Sequence, residues 1–139
     1  MRPTCTHVAI LARDIAKAAS FYARYASLVE VHRRTEHDVT VVWLGEEVRA
    51  HEFVIVLIGV SHADPVDPAP LAHLGYAVES RDEVDRLAGL ARRELILVEG
   101  PTDAGPIVGY YCIVRDPDGN LVEFSYDQGV YEKAREVWG

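Results

Sequence analysis

His73-Leu74-Gly75-Tyr76-Ala77-Val78 decides the fold, because His7-Val8-Ala9-Ile10-Leu11 spells out the same kind of strand 66 residues earlier. In extended chain, alternate side chains share a face. His7 therefore goes with Ala9 and Leu11, and His73 goes with Gly75 and Ala77. Each stretch sets one polar side chain beside small or apolar neighbours, at the same point of a strand.

The same order of signals follows each strand. After the first, Asp14 is placed to cap a helix from Ile15 to Leu28, with Ile15, Ala18, Ala19, Tyr22 and Tyr25 on one side. A short strand is expected around Leu28 to Arg33. Strands at Val39 to Leu44 and Glu52 to Ile58 follow, joined as a hairpin by the polar connector Gly45 to His51. Asp64-Pro65-Val66-Asp67-Pro68-Ala69-Pro70 has three prolines in seven residues, so 64–70 reads as a linker. Beyond it, Ser80-Arg81-Asp82-Glu83 is a capping box that opens a helix to about Arg93. Strands are expected at Leu95 to Val98, Ile107 to Arg115 and Leu121 to Tyr126. The last two are joined by the turn Asp116-Pro117-Asp118-Gly119. The tail, Val130 to Trp138, suits a short terminal helix or a docking segment.

Strand, helix and three strands thus occur twice, at about 4–60 and 71–127 of a single domain 1–139. Laying Val54-Ile55-Val56-Leu57 over Leu121-Val122-Glu123-Phe124 uses an offset of 67, nearly that of the histidines. This places Val56 where the second half carries Glu123.

Composition excludes several classes. Hydrophobic residues make up 49% and charged residues 26% of the 139, as in an ordinary globular chain. A net charge of -8 argues against nucleic acid or an anionic membrane as partner. No apolar run approaches the roughly 20 residues of a membrane span, and no signal-peptide core precedes the first strand, so a cytoplasmic location is expected. Cys5 and Cys112 lack zinc-type spacing and are expected as reduced thiols.

His7, His73 and Glu123 are the chemically suggestive residues. Glu123 shares its face with Leu121 and Ser125. A carboxylate on an inward face is costly unless it is paired or bound to a cation. An arginine such as Arg115 is one way to settle it; a metal is another. Two imidazoles and a carboxylate suit Fe(II), Mn(II), Zn(II) or Ni(II), with positions left for substrate. His32, His37 and His62 fall in loops or at a strand edge, where solvent exposure is expected. Trp43 reads as core or cavity wall, Phe21 and Tyr22 as helix packing.

With these motifs quoted, together with Asp116-Pro117-Asp118-Gly119-Asn120-Leu121-Val122-Glu123-Phe124, the chain resembles the vicinal oxygen chelate superfamily of glyoxalases, bleomycin-resistance proteins and extradiol dioxygenases. The resemblance runs from about Thr6 to Tyr126. It implies an α+β fold of paired βαβββ modules forming a cup-shaped mixed sheet, and a homodimer whose sites often draw on both subunits. It implies a divalent metal on His7, His73 and Glu123, with a small oxygenated substrate bound through two oxygens. The activity implied is of dioxygenase or lyase/isomerase type; the alternative is a metal-free binder of drugs or other small molecules, of the bleomycin-resistance type. Glyoxalase I has a fourth ligand, Glu or Gln, where this chain has Val56, so His51 or Glu52 is the candidate substitute. Dioxygenases use a supporting tyrosine where this chain has Ile113; Tyr111, one face-step earlier, is the candidate for that catalytic role beside Glu123.

Overall fold

Two four-stranded mixed sheets account for all the strands of the computed structural model, which describes residues 5–49, 52–60, 73–129 and 136–137. The linker expected at 64–70, most of the expected tail, His51 and His62 lie outside the described residues. The chain divides into two compact units, Met1–Pro70 with Pro117–Gly119, and Leu71–Asp116 with Asn120–Gly139.

The first unit contains β1 (His7–Ala12), α1 (Ile15–Ala26), β2 (Val29–Glu36), β3 (Val39–Gly45) and β4 (Val54–Gly59). Its strand order is β1-β4-β3-β2, with β1 and β4 parallel. Helix α1 begins where Asp14 Oδ1 accepts the Lys17 N–H at 3.0 Å, a cap worth about 1 kcal/mol. It stops two residues short of the expected Leu28, because Ser27 turns left-handed (φ 55°) and the Leu28 N–H folds back to the Tyr22 carbonyl. Ile10, Leu57 and Val42 form one buried row across three strands. Helix α1 covers this side of the sheet with Ala18, Phe21, Tyr22 and Tyr25, and a Cβ added at Gly59 would meet Ile15 Cγ1 at 3.4 Å. The opposite side carries His7, Ala9 and Leu11, all exposed.

The second unit contains β5 (Leu74–Ala77), α2 (Arg81–Arg93), β6 (Leu97–Asp103), α3 (Gly105–Val108), β7 (Tyr110–Arg115) and β8 (Leu121–Tyr126). Its order, β5-β8-β7-β6 with β5 and β8 parallel, repeats that of the first. Ser80 Oγ accepts the Glu83 N–H at 3.1 Å, as the capping box requires, while the Glu83 carboxylate is gripped by Arg86 at 2.6 and 2.9 Å. Tyr76, Phe124 and Cys112 line the helix side of the sheet, with the two rings stacked 5.7 Å apart. Helix α2 closes over them, and the Cys112 thiol points at the Val84 carbonyl. Burial, with the Asp85 and Glu123 charges behind it, pushes that thiol up to about 11.

Two expected strands need correction. Ile107 and Val108 lie in α3, not in β7: Gly105-Pro106 start a short helical turn that Gly109 ends, at φ +83°. The strand expected at Leu95 to Val98 begins at Leu97, because Leu95 is left-handed and almost fully exposed, and it runs on to Asp103. The ladder tolerates Gly100-Pro101 by shifting register between Glu99 and Thr102. The turn after β7 is clasped as well as tight. Buried Asp116 accepts the Asn120 N–H on Oδ1 and the Asn120 amide on Oδ2, both at 2.8 Å, while Gly119 supplies φ +90°. Among the described residues, no helix is long and apolar enough to cross a membrane.

Candidate active site

Strand pairing fixes which residues meet on the side of each sheet away from its helix. In the second unit Gly75 lies opposite Glu123, Glu123 opposite Ile113, and Ile113 opposite Glu99. One step along, Ala77, Ser125, Tyr111 and Thr102 form the next row. Glycine and serine thus flank the carboxylate of Glu123, which is 8% exposed. A Cβ added at Gly75 would sit 3.5 Å from Glu123 Oε2, so the missing side chain keeps that oxygen accessible.

His73 comes just before β5, and its Nε2 stands 3.9 Å from Glu123 Oε2. That is too far for a hydrogen bond, yet both atoms are within reach of a cation held about 2.0–2.2 Å from each. Gln128, in the loop after β8, donates from Nε2 to the same oxygen at 3.4 Å and to the Val108 carbonyl at 3.3 Å. The amide thus ties the carboxylate to the end of α3. The donor set, one imidazole and one largely buried carboxylate, fits a borderline divalent metal.

Tyr111 lies on the same face. Its hydroxyl donates to Glu99 Oε1 at 2.6 Å. That bond, aided by the Glu99 and Glu123 charges, raises the phenol above its ordinary value, so its proton stays in place at neutral pH. Glu99 and Gln128 were not singled out in the sequence. Strand alternation gives a signal for Glu99 only once the register break at Gly100 is known, and nothing in the pattern marks Gln128.

His7 belongs to the first unit. It opens β1 opposite Val54, is exposed, and has Nδ1 3.0 Å from Thr6 Oγ1. A ring nitrogen held this way leaves Nε2 as the one facing outward chemistry. Pairing confirms the alignment of the two halves: Ala9 faces Val56 as Gly75 faces Glu123. Val56, 8% exposed, is cross-strand to Trp43. Glu52 stands outside β4, with its carboxylate 3.4 Å from Arg49 on the connector. The structure therefore brings His73 and Glu123 together and adds Tyr111 to their face. Among the described residues, no group of three or more His, Cys, Asp or Glu side chains is placed to hold a metal ion.

Residues 4–124 match the family model described as "Glyoxalase/Bleomycin resistance protein/Dioxygenase superfamily". An uncharacterised protein of Pseudomonas aeruginosa is 37% identical over 128 residues, covering 92% of this chain and 91% of that one. Among solved structures, a trypanothione-dependent glyoxalase I of Leishmania major superposes with a TM-score of 0.74 at 20% identity, covering 98% and 95% of the two chains. A glutamate-to-glutamine mutant of the fosfomycin resistance protein FosX of Listeria monocytogenes, complexed with Mn(II) and 1S,2S-dihydroxypropylphosphonic acid, gives 0.73 at 14% identity, covering 96% and 99%.

Proposed function

The chain belongs to the Glyoxalase/Bleomycin resistance protein/Dioxygenase superfamily, and from that premise we propose that it is a divalent-metal-dependent enzyme acting on a small oxygenated organic molecule. The observation that carries this reading is His73 Nε2 facing the largely buried Glu123 carboxylate at 3.9 Å, across a face kept open by Gly75. His73 and Glu123 are the proposed ligands, with His7 as the third, given by the first module of this chain or of a second copy in a homodimer. A cation held there would supply Lewis acidity toward substrate oxygen, which would suit lyase/isomerase or dioxygenase chemistry. FosX offers an instance of Mn(II) bound on the same fold.

The chain's own residues have separate tasks. Gln128 fixes the orientation of the Glu123 carboxylate, and Gly75 leaves space in front of it. Tyr111 keeps its proton because Glu99 accepts it in a hydrogen bond, so Tyr111 Oη offers its lone pairs to a substrate hydroxyl and does not act as a base. A small substrate that binds through oxygen and hydrogen-bonds to this phenol is the class proposed.

Metal content tests the reading directly. Tag-free protein incubated with Mn(II), Fe(II), Zn(II) or Ni(II) and then desalted is expected to retain stoichiometric metal. His73→Ala and Glu123→Gln are expected to lose it while keeping the wild-type circular dichroism. Wild-type protein that retains none of the four metals overturns the proposal.

A further inference from the structure

The second unit has a cavity of about 330 Å³ where β6 leads into α3. Tyr110 and Tyr126 are cross-strand neighbours in its wall, with Asp103 beyond Tyr110 in the same row. Tyr126 lies three residues after Glu123 along β8, so the two side chains leave opposite faces of the sheet. The cavity is thus separate from the face that carries Glu123.

Most polar groups in the wall are committed. Arg81 Nη2 donates to Asp103 Oδ2 at 2.5 Å, and the guanidinium lies over the Tyr110 ring, 4.5 Å from its centroid. Asp103 Oδ1 accepts the Gly105 N–H at 3.1 Å, and the Tyr110 hydroxyl donates to Asp85 on α2. Two groups are left over. Among the described residues, the Asp127 carboxylate and the Tyr126 hydroxyl take part in no hydrogen bond or ion pair, and the Tyr126 ring, 36% exposed, carries no cation. The charged side chains of the wall are Arg81, Asp103 and Asp127. The first two offset each other, so Asp127 leaves one negative charge in excess. The N-terminal end of α2 does not reverse this, since Ser80 caps it and Asp82 and Glu83 stand in its first turn. Backbone contacts hold Asp127 in place. A Cβ at Gly109 would overlap the Tyr126 carbonyl oxygen and come 3.0 Å from the Asp127 carbonyl carbon, and the Gly129 N–H donates to the Ile107 carbonyl at 2.9 Å.

We propose that this cavity binds a small organic ammonium ion. The ammonium donates to the Asp127 carboxylate and the Tyr126 hydroxyl, and its carbon chain lies against the Tyr126 ring. A cation over a tyrosine face is attracted by the ring quadrupole, as Arg81 over Tyr110 illustrates one strand away. A carboxylate that accepts only, beside a hydroxyl that can accept, favours a donor-rich ligand. An anion finds the one cation of the wall already paired with Asp103. This site goes beyond the proposed function and needs no metal.

The test is a titration of isotope-labelled, chelator-treated full chain with benzylamine at pH 7, where the amine is protonated, read by amide chemical shifts. Benzyl alcohol is the neutral control and benzoate the anionic one. Benzylamine is expected to shift the amides of 103–109 and 126–129 saturably, and to bind about threefold to fivefold more tightly than benzyl alcohol, as a partly exposed ion pair implies. Asp127→Asn keeps the left-handed backbone at φ 60°, which asparagine tolerates. It is expected to bring benzylamine down to the level of benzyl alcohol. Tyr126→Leu is expected to weaken benzylamine by about threefold through loss of the ring. Glu123→Gln is expected to leave the titration unchanged; loss of binding there assigns the ammonium to the opposite face and overturns the proposal. Shifts that are absent, that do not saturate, or that are equal in wild type and Asp127→Asn overturn it as well, whether or not the protein loads metal. So does benzoate bound at the same amides as tightly as benzylamine.

Discussion

The two modules share a backbone plan and differ in what they set on it. Ala9 opposite Val56 in the first is matched by Gly75 opposite Glu123 in the second. Behind these pairs both modules are alike, with a parallel first and last strand and an amphipathic helix on one side. In front, the first presents Trp43 among aliphatic side chains, and the second presents Glu123, Tyr111, Glu99 and Gln128 around small residues. The difference teaches that the helix side is held by packing in both halves, which leaves the other side free to diverge into a hydrophobic surface in one and a polar centre in the other.

The largest effect is expected where the modules are most alike. Leu57 and Phe124 occupy the same register position, opposite Ile10 and Tyr76, and both are fully buried. Phe124→Ala is expected to cost about 3–5 kcal/mol and Leu57→Ala about 2–5 kcal/mol. Urea denaturation of both variants checks this, and a near-zero cost in either breaks the equivalence of the two cores.

A smaller effect is expected where the modules differ. Val56→Glu puts a carboxylate at the place in the first module that Glu123 takes in the second, at a site 8% exposed beside Trp43. Without a partner it is expected to destabilise by about 1–3 kcal/mol at pH 7. Burial raises the carboxyl of the folded state above that of the unfolded chain. The penalty is therefore full at neutral pH and shrinks as pH falls through the raised value. Thermal melts at pH 7 and pH 4 read the difference; a gap between variant and wild type that widens on acidification breaks the comparison.

The smallest effect belongs to a feature of the second module's helix. Arg86 holds the Glu83 carboxyl below its ordinary 4.5. A depressed folded value contributes stability above the unfolded value and loses it as pH drops through the folded one. Glu83→Gln is expected to cost about 0.3–0.5 kcal/mol at pH 7 and nothing once pH is well below 4.5. Paired denaturation curves at the two pH values check it, and an equal cost at both assigns the effect to the cap and not to charge.

Much of this was legible in the chain. Alternation around His7 and His73 and the Asp-Gly turn mark the strands, and the offset between halves sets Val56 against Glu123, as the strand pairing does. These signals are local or periodic, and so survive in sequence. The α3 turn was hidden because Ile107-Val108 is β-prone by composition, while the conformation was decided by Gly105, Pro106 and Gly109 around it. β6 runs past the expected end at Val98 because the register shift between Glu99 and Thr102 absorbs Gly100-Pro101. Within the site, His73, Glu123 and Tyr111 could be picked out by face, whereas Gln128 reaches Glu123 from a loop whose path depends on tertiary packing.

In each module the first strand closes against the last in parallel, so every described ladder begins and ends within its own half. Severing the polypeptide between β4 and β5 would therefore interrupt none of those ladders. Each of two separately encoded fragments would carry all the strands of one sheet. Each face could then be mutated on its own gene and tried against an untouched partner.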